Sequence, residues 1–127
     1  MPILKIVSGA KFTIYAWGDS NSCEFVDYLY DLKQASSPEY DKLFYLIKSS
    51  ADVGPPRNVE KCRPIEGADG EKLFEFKTSG GVRALWFYDK GGRIVCTHAF
   101  GKCSAKELKN EIKKAKSIKD RYYKEQN

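Results

Sequence analysis

A single histidine, His98, and four cysteines of which no two form a CxxC pair leave this 127-residue sequence without the usual ligand sets for zinc. It has no glycine-rich phosphate loop, no dinucleotide fingerprint and no Ser-His-Asp set. No metal and no cofactor is therefore expected. Long apolar runs are missing too. Ala84–Tyr88 and Ile94–Cys96 are of strand length, far short of the roughly 20 residues that a membrane-spanning helix needs. The first residues, Met1 to Lys5, offer neither the apolar stretch nor the small-residue cleavage site of a secretory leader. The expectation is a cytoplasmic protein with no membrane association, in which Cys23, Cys62, Cys96 and Cys103 are free thiols.

What is present is a core and a lopsided charge. Apolar residues make up 42% of the chain, enough for one domain spanning residues 1–127. Residues 1–70 carry eight basic and ten acidic groups, whereas residues 71–127 carry fourteen basic and seven acidic groups. A net −2 beside a net +7 implies an anionic partner for the second half, with RNA the foremost candidate, although a solvated lysine-rich helix gives the same count.

The pattern along the chain predicts an α+β fold. Lys11–Trp17 alternates polar with apolar residues as a strand does, and Ile3–Val7 can extend it. Phe25, Val26, Leu29 and Leu32 recur at helical spacing, so a first helix is expected to run to about Gln34. Ser37-Pro38-Glu39 starts a second helix, with Ser37 as N-cap, and Gly54-Pro55-Pro56 ends it. Residues 54–71 read as a surface loop with at most a short strand. Lys72–Thr78, Val82–Asp89 and Arg93–Gly101 then form an antiparallel meander across two glycine-bearing turns. Ser104 and Glu107 form a capping box. It opens a basic helix whose Leu108, Ile112, Ala115, Ile118 and Tyr122 share one face. The expected architecture is an antiparallel sheet, made of the N-terminal strand plus the meander. An N-terminal helical hairpin and a C-terminal basic helix pack on one of its faces.

Active chemistry in such a chain has to come from Lys, Arg, His and Tyr. Lys77, Arg83, His98 and Lys102 lie at or just beyond the ends of the meander strands. The Gly80-Gly81 turn brings Lys77 beside Arg83, and the period of two places His98, Phe100 and Lys102 on one face. Each has a plainer reading as a turn-flanking charge or a buried sheet histidine. Cys96, two residues before His98, reads as a structural thiol more readily than as a nucleophile. Trp86, Phe87 and Tyr88 read as core more readily than as a base-stacking platform. Arg93, Lys106, Lys109 and Lys113 are the further cations expected to contact RNA.

Leu73-Phe-Glu-Phe-Lys77, Gly81-Val-Arg-Ala-Leu-Trp-Phe-Tyr-Asp89, Gly92-Arg-Ile-Val-Cys-Thr-His-Ala-Phe-Gly-Lys102 and Glu111-Ile-Lys-Lys-Ala115, in that order and spacing, resemble the RelE/ParE toxin superfamily. The likeness is to its HigB-like, phage-derived branch. It extends over about residues 71–117 and more loosely to the helices of residues 22–52. The run Gly101–Lys106 departs from the branch, lacking its adjacent second lysine and its Thr-Pro pair. The resemblance implies a toxin of a type II toxin–antitoxin system, an endoribonuclease that cuts messenger RNA on the ribosome without a metal. It further implies a cognate antitoxin, expected to be a helix-turn-helix protein. In that chemistry Arg83 holds the scissile phosphate. His98, with an unperturbed pKa of roughly 6.5, moves a proton. Lys77 and Lys102 hold flanking phosphates, and either can serve as base. Two other readings stay open: a ParE-like toxin that binds DNA gyrase and is no nuclease, or an inactive phage-derived binding domain.

Overall fold

The structure is a computed structural model that describes residues 2–58, 60–65 and 72–126. Its elements in chain order are β1 (Ile3–Ser8), β2 (Thr13–Trp17), α1 (Glu24–Ala35), α2 (Ser37–Val53), β3 (Cys62–Pro64), β4 (Phe74–Lys77), β5 (Arg83–Asp89), β6 (Arg93–Phe100) and α3 (Ala105–Gln126). The expected short strand of the 54–71 segment is β3; residues 59 and 66–71 of that segment lie outside the described residues.

The α+β class and the meander β4–β5–β6 are as the sequence implies, but the sheet is larger and mixed. Its order is β1-β2-β6-β5-β4-β3. β1 pairs with β2 and β3 with β4, both antiparallel. β2 runs parallel to β6, with Thr13 opposite Arg93 and Ala16 opposite Cys96. The all-antiparallel sheet is therefore corrected to a six-stranded mixed one. A parallel pair needs a long crossover, and the helical hairpin lies within it.

The helices also occupy both faces, where one was expected. On one side Phe25, Leu29, Leu43 and Ile47 of the hairpin pack on Ile14, Ala84, Trp86, Ile94 and Cys96. On the other, Ala115 and Tyr122 of α3 pack on Leu85, Phe87, Val95 and Phe100. β6 is buried along seven of its eight residues, as a strand covered on both faces must be.

Local signals hold closely. Ser104 Oγ accepts from the Glu107 N–H at 3.2 Å, and Glu107 Oε1 accepts from the Ser104 N–H at 3.1 Å. This is the reciprocal capping box. Helix α2 begins one residue early: Ser36 is the N-cap and makes no side-chain cap bond, in place of Ser37. All four cysteines are free thiols. Among the described residues no helix is long and apolar enough to cross a membrane.

One irregularity matters for the site. Leu85 pairs with His98 while Trp86 pairs with Cys96, leaving Thr97 as an extra residue in β6. Such a bulge reverses the parity of the strand beyond it. Cys96 therefore faces the helical hairpin, whereas His98 and Phe100 face α3. The side-by-side placement of Cys96 and His98 expected from a regular strand does not occur.

Candidate functional site

Lys77 pairs with Arg83 across β4 and β5. The Thr78 N–H bonds the Val82 carbonyl at 2.9 Å and the Gly81 N–H bonds the Thr78 carbonyl at 3.0 Å, so Ser79, Gly80 and Gly81 form a three-residue loop. Gly81 has φ 91°, a conformation that favours glycine. A Cβ there would also press to 3.2 Å on Lys102 Cβ. The bare turn thus lets the β6–α3 junction approach it closely.

The turn is clamped from below. Glu39, in the first turn of α2, accepts from the Thr78 hydroxyl and from Lys42 Nζ at 2.8 Å; Lys42 also donates to Ser79 Oγ at 2.7 Å. Lys42 first and Thr78 next hold the Glu39 carboxyl below the ordinary carboxylate range. A Cβ at Gly80 would fall on that carboxylate.

Above the clamp is a cavity of about 280 Å³ lined by Lys77, Arg83, Lys102 and Cys103 with the turn backbone. Three of the four expected catalytic residues therefore meet around one space. Arg83 is the most constrained of them, with a side chain only 14% exposed. Its Nη1 lies 4.0 Å from Cys103 Sγ and its Nε 3.4 Å from Glu75 Oε2. Glu75 is 1% exposed, and its Oε1 accepts from Arg63 Nε at 2.7 Å. Among the described residues, Glu75 Oε2 and Arg83 Nε have no well-aligned hydrogen bond; their contact is an ion pair. Glu75 thus stands between two guanidinium groups and aims one of them at the cavity.

Glu75 also lines a second cavity of about 590 Å³, between the β3–β4 edge of the sheet and the first turns of α3. The Glu75–Arg83 pair joins the two spaces.

His98 is placed elsewhere. It is 1% exposed, stacks on Phe100 with ring centroids 5.4 Å apart, and lies under α3. Its Nδ1 is 3.0 Å from Thr97 Oγ1, and its Nε2 is 3.3 Å from Glu111 Oε1 without good hydrogen-bond alignment. Burial, opposed by Glu111, lowers its pKa below the ordinary 6.5; Lys114 adds to the lowering and Glu24 opposes it. His98 shares the sheet face of Lys77 and Arg83, but it lies beneath α3 against Glu111 and does not line the cavity. A group with a depressed folded pKa binds its proton more weakly in the native state. Its stabilising effect is therefore complete above pH 6.5 and is lost as pH falls through the lower folded value. Thermal unfolding between pH 8 and 5 is expected to show a falling midpoint below pH 6.5. In this window ordinary carboxylates remain ionised, and His98→Gln should flatten the curve. An unchanged slope in the variant would remove His98 as the cause.

The other expected cations divide. Lys106, Lys109 and Lys113 are exposed along α3, and Lys109 reaches the rim of the second cavity. Arg93 pairs with Asp89 at the opposite end of β5 from Arg83, about 20 Å away at the usual strand rise. There it lies over the Tyr15 ring at 5.4 Å and bonds Tyr122. Trp86 and Phe87 are core, as expected, and Tyr88 is part exposed. Sequence patterning passed over Glu75, Arg63 and Cys103. The signal for Glu75 was available, as a lone acid in an apolar strand two residues before Lys77.

Residues 30–120, well over half of the chain and including every residue of both cavities, match the family model described as phage-derived protein Gp49-like. No curated protein matches the chain significantly.

Proposed function

The chain belongs to the phage-derived Gp49-like family, a RelE-like toxin family, and we propose that it is the toxin of a toxin–antitoxin pair and cleaves messenger RNA on the ribosome in the cytoplasm. The observation that carries this reading is the convergence of Lys77, Arg83 and Lys102 on one small cavity at a bare glycine turn. A phosphodiester fits three fixed cations, and no carboxylate is among the described residues lining the space.

In the proposed step the ribose 2′-hydroxyl attacks the adjacent phosphorus and the bond to the 5′-oxygen breaks. The products are a 2′,3′-cyclic phosphate and a 5′-hydroxyl. Negative charge grows on the phosphoryl oxygens and on the departing oxygen, so cations fixed there lower the barrier more than they strengthen ground-state binding. Arg83, held by Glu75, takes the phosphoryl oxygens with its fork of donors. Lys77 and Lys102 neutralise charge on the flanking oxygens, one of them supplies a proton to the departing 5′-oxygen, and the 2′-hydroxyl proton passes to solvent. His98 is a positioning residue that seats α3, and it makes no substrate contact. Expression of the chain alone in cells, with mapping of messenger RNA 5′ ends, tests this reading. New internal ends should follow induction. Intact messages with inhibited DNA supercoiling would point to gyrase instead.

The exposed α3 lysines are proposed to add affinity without sequence preference. Replacing Lys106, Lys109 and Lys113 together with alanine is expected to weaken RNA binding. It should also reduce the slope of log affinity against log salt by about 2, at roughly 0.7 per phosphate contact on single strands. A slope unchanged by the triple substitution would mean that this face only meets solvent.

A further inference from the structure

We propose that a third cavity, beside the cation cluster, seats the nucleobase next to the phosphate held there, with Tyr45 as its stacking surface. This inference rests on the RNA-cleavage reading for its substrate, but its test does not. The cavity measures about 500 Å³ and lies between α2, the residues leading into β3 and the end of β4. Lys77 and Ser79 line both this space and the cationic one, so the two share a wall. Helical spacing builds the opposite side. Leu43, Leu46 and Ile47 are buried in the core, whereas Asp41 and Tyr45, four residues apart, share the adjoining side of α2. Tyr45 is 69% exposed and, among the described residues, makes no hydrogen bond and no ring contact. An exposed tyrosine by itself is ordinary. This one borders a mostly apolar cavity, with Leu46 beside it.

The charges separate base from phosphate. The cationic cavity has no carboxylate among its described lining residues. The third cavity has two, Asp41 and Glu60, which repel a phosphate but accept hydrogen bonds from base amino groups. Lys61 and Lys77 also line it, joined by the bond from the Lys77 N–H to the Lys61 carbonyl at 2.8 Å. Neither lysine makes an ion pair among the described residues, so both remain for the phosphates that flank a base. Every base presents a π-face that a tyrosine ring can meet, so this contact tolerates any sequence. A peptide segment would use the apolar surface alone; continuity with the three cations favours a nucleotide.

The test is calorimetric titration of the full chain with adenosine 3′,5′-bisphosphate and with the same sugar bisphosphate lacking the base. The adenosine ligand is expected to bind about tenfold tighter, within the range that one base stack contributes. Tyr45→Ala should bring the two affinities together, and Tyr45→Phe, which keeps the ring, should preserve the difference. Both changes fall at an exposed position, so both variants are expected to fold. Lys102 lines the cationic cavity and not this one, so Lys102→Ala should weaken both ligands alike and leave their ratio unchanged. Equal affinities in the wild type would overturn the inference. So would a base preference that survives Tyr45→Ala, which would return Tyr45 to the surface left for a protein partner, or one lost in Tyr45→Phe. Affinities untouched by Lys102→Ala would sever the cavity from the cation cluster and overturn it too. Base preference without RNA cleavage in cells would leave this site standing and remove the nuclease reading; cleavage without the preference would do the reverse.

Discussion

Arg83→Ala is expected to reduce the single-turnover rate of messenger RNA cleavage by about 10²–10³, the range for removing one preorganised donor to a developing oxyanion. The expected size follows from how Arg83 is held. Its side chain is 14% exposed and anchored through Nε to Glu75 at 3.4 Å, so little reorganisation is needed when charge appears on the phosphoryl oxygens. Substrate binding should weaken far less than turnover, because the interaction strengthens on the way to the transition state. Arg83→Lys should recover only part of the rate, since a single ammonium cannot make a forked contact. A turn-flanking charge is ordinarily dispensable for folding, but Arg83 is largely buried against Glu75. Arg83→Ala leaves Glu75 with Arg63 alone among the described residues as a neutralising partner, so a stability loss of about 1–3 kcal/mol should accompany the kinetic defect. Thermal unfolding of each variant separates the two effects, because Arg83→Lys retains the charge and most of the stability. A folded Arg83→Ala protein that cuts at the wild-type rate would take Arg83 out of the mechanism.

Trp86→Ala is expected to be the most damaging single change to the fold. Trp86 is fully buried in the core beneath the helical hairpin. Its ring lies 4.8 Å from Phe74, 4.9 Å from Phe76 and 4.9 Å from Tyr88, centroid to centroid. Truncating a large aromatic in such a position costs about 3–5 kcal/mol in lost burial and residual cavity. For a chain of this length that lowers the thermal midpoint by roughly 10–20 °C. Because β4 and β5 carry Lys77, Arg83 and Glu75 on their other face, activity at ambient temperature should fall with the folded fraction and no further. A midpoint shift of only a few degrees would mean that the aromatic stack is not central to this core.

The parts of the fold written in local chemistry were legible. Ser104 and Glu107, Pro38, and the glycines of both meander turns each act within a few residues. Each appears where the sequence puts it, with Ser36 in place of Ser37 as the cap of α2. The parallel β2–β6 pair was not legible, because alternation along Lys11–Trp17 fixes which residues share a face but not the direction of a neighbouring strand. The two-sided helix packing did have a signal. Ala84–Phe87 and Ile94–Cys96 are continuous apolar runs rather than alternating ones, the mark of strands covered on both faces. At the site, pairing across the Gly80-Gly81 turn correctly joined Lys77 to Arg83. The period of two rightly put His98 and Phe100 on one face but could not show that α3 covers His98; the extra residue at Thr97 breaks the period only between Cys96 and His98. Nothing in composition or spacing marks that bulge.

The central claim is that the cation cluster promotes attack by RNA's own 2′-hydroxyl. The most direct measurement is the chemistry of the new ends when the purified chain meets ribosomes translating a defined message. The expected result is cleavage that leaves 5′-hydroxyl and 2′,3′-cyclic phosphate termini, abolished in a folded Lys77→Ala/Arg83→Ala/Lys102→Ala variant. Ends carrying a 5′-phosphate and a 3′-hydroxyl, or cleavage that persists in that variant, would contradict it.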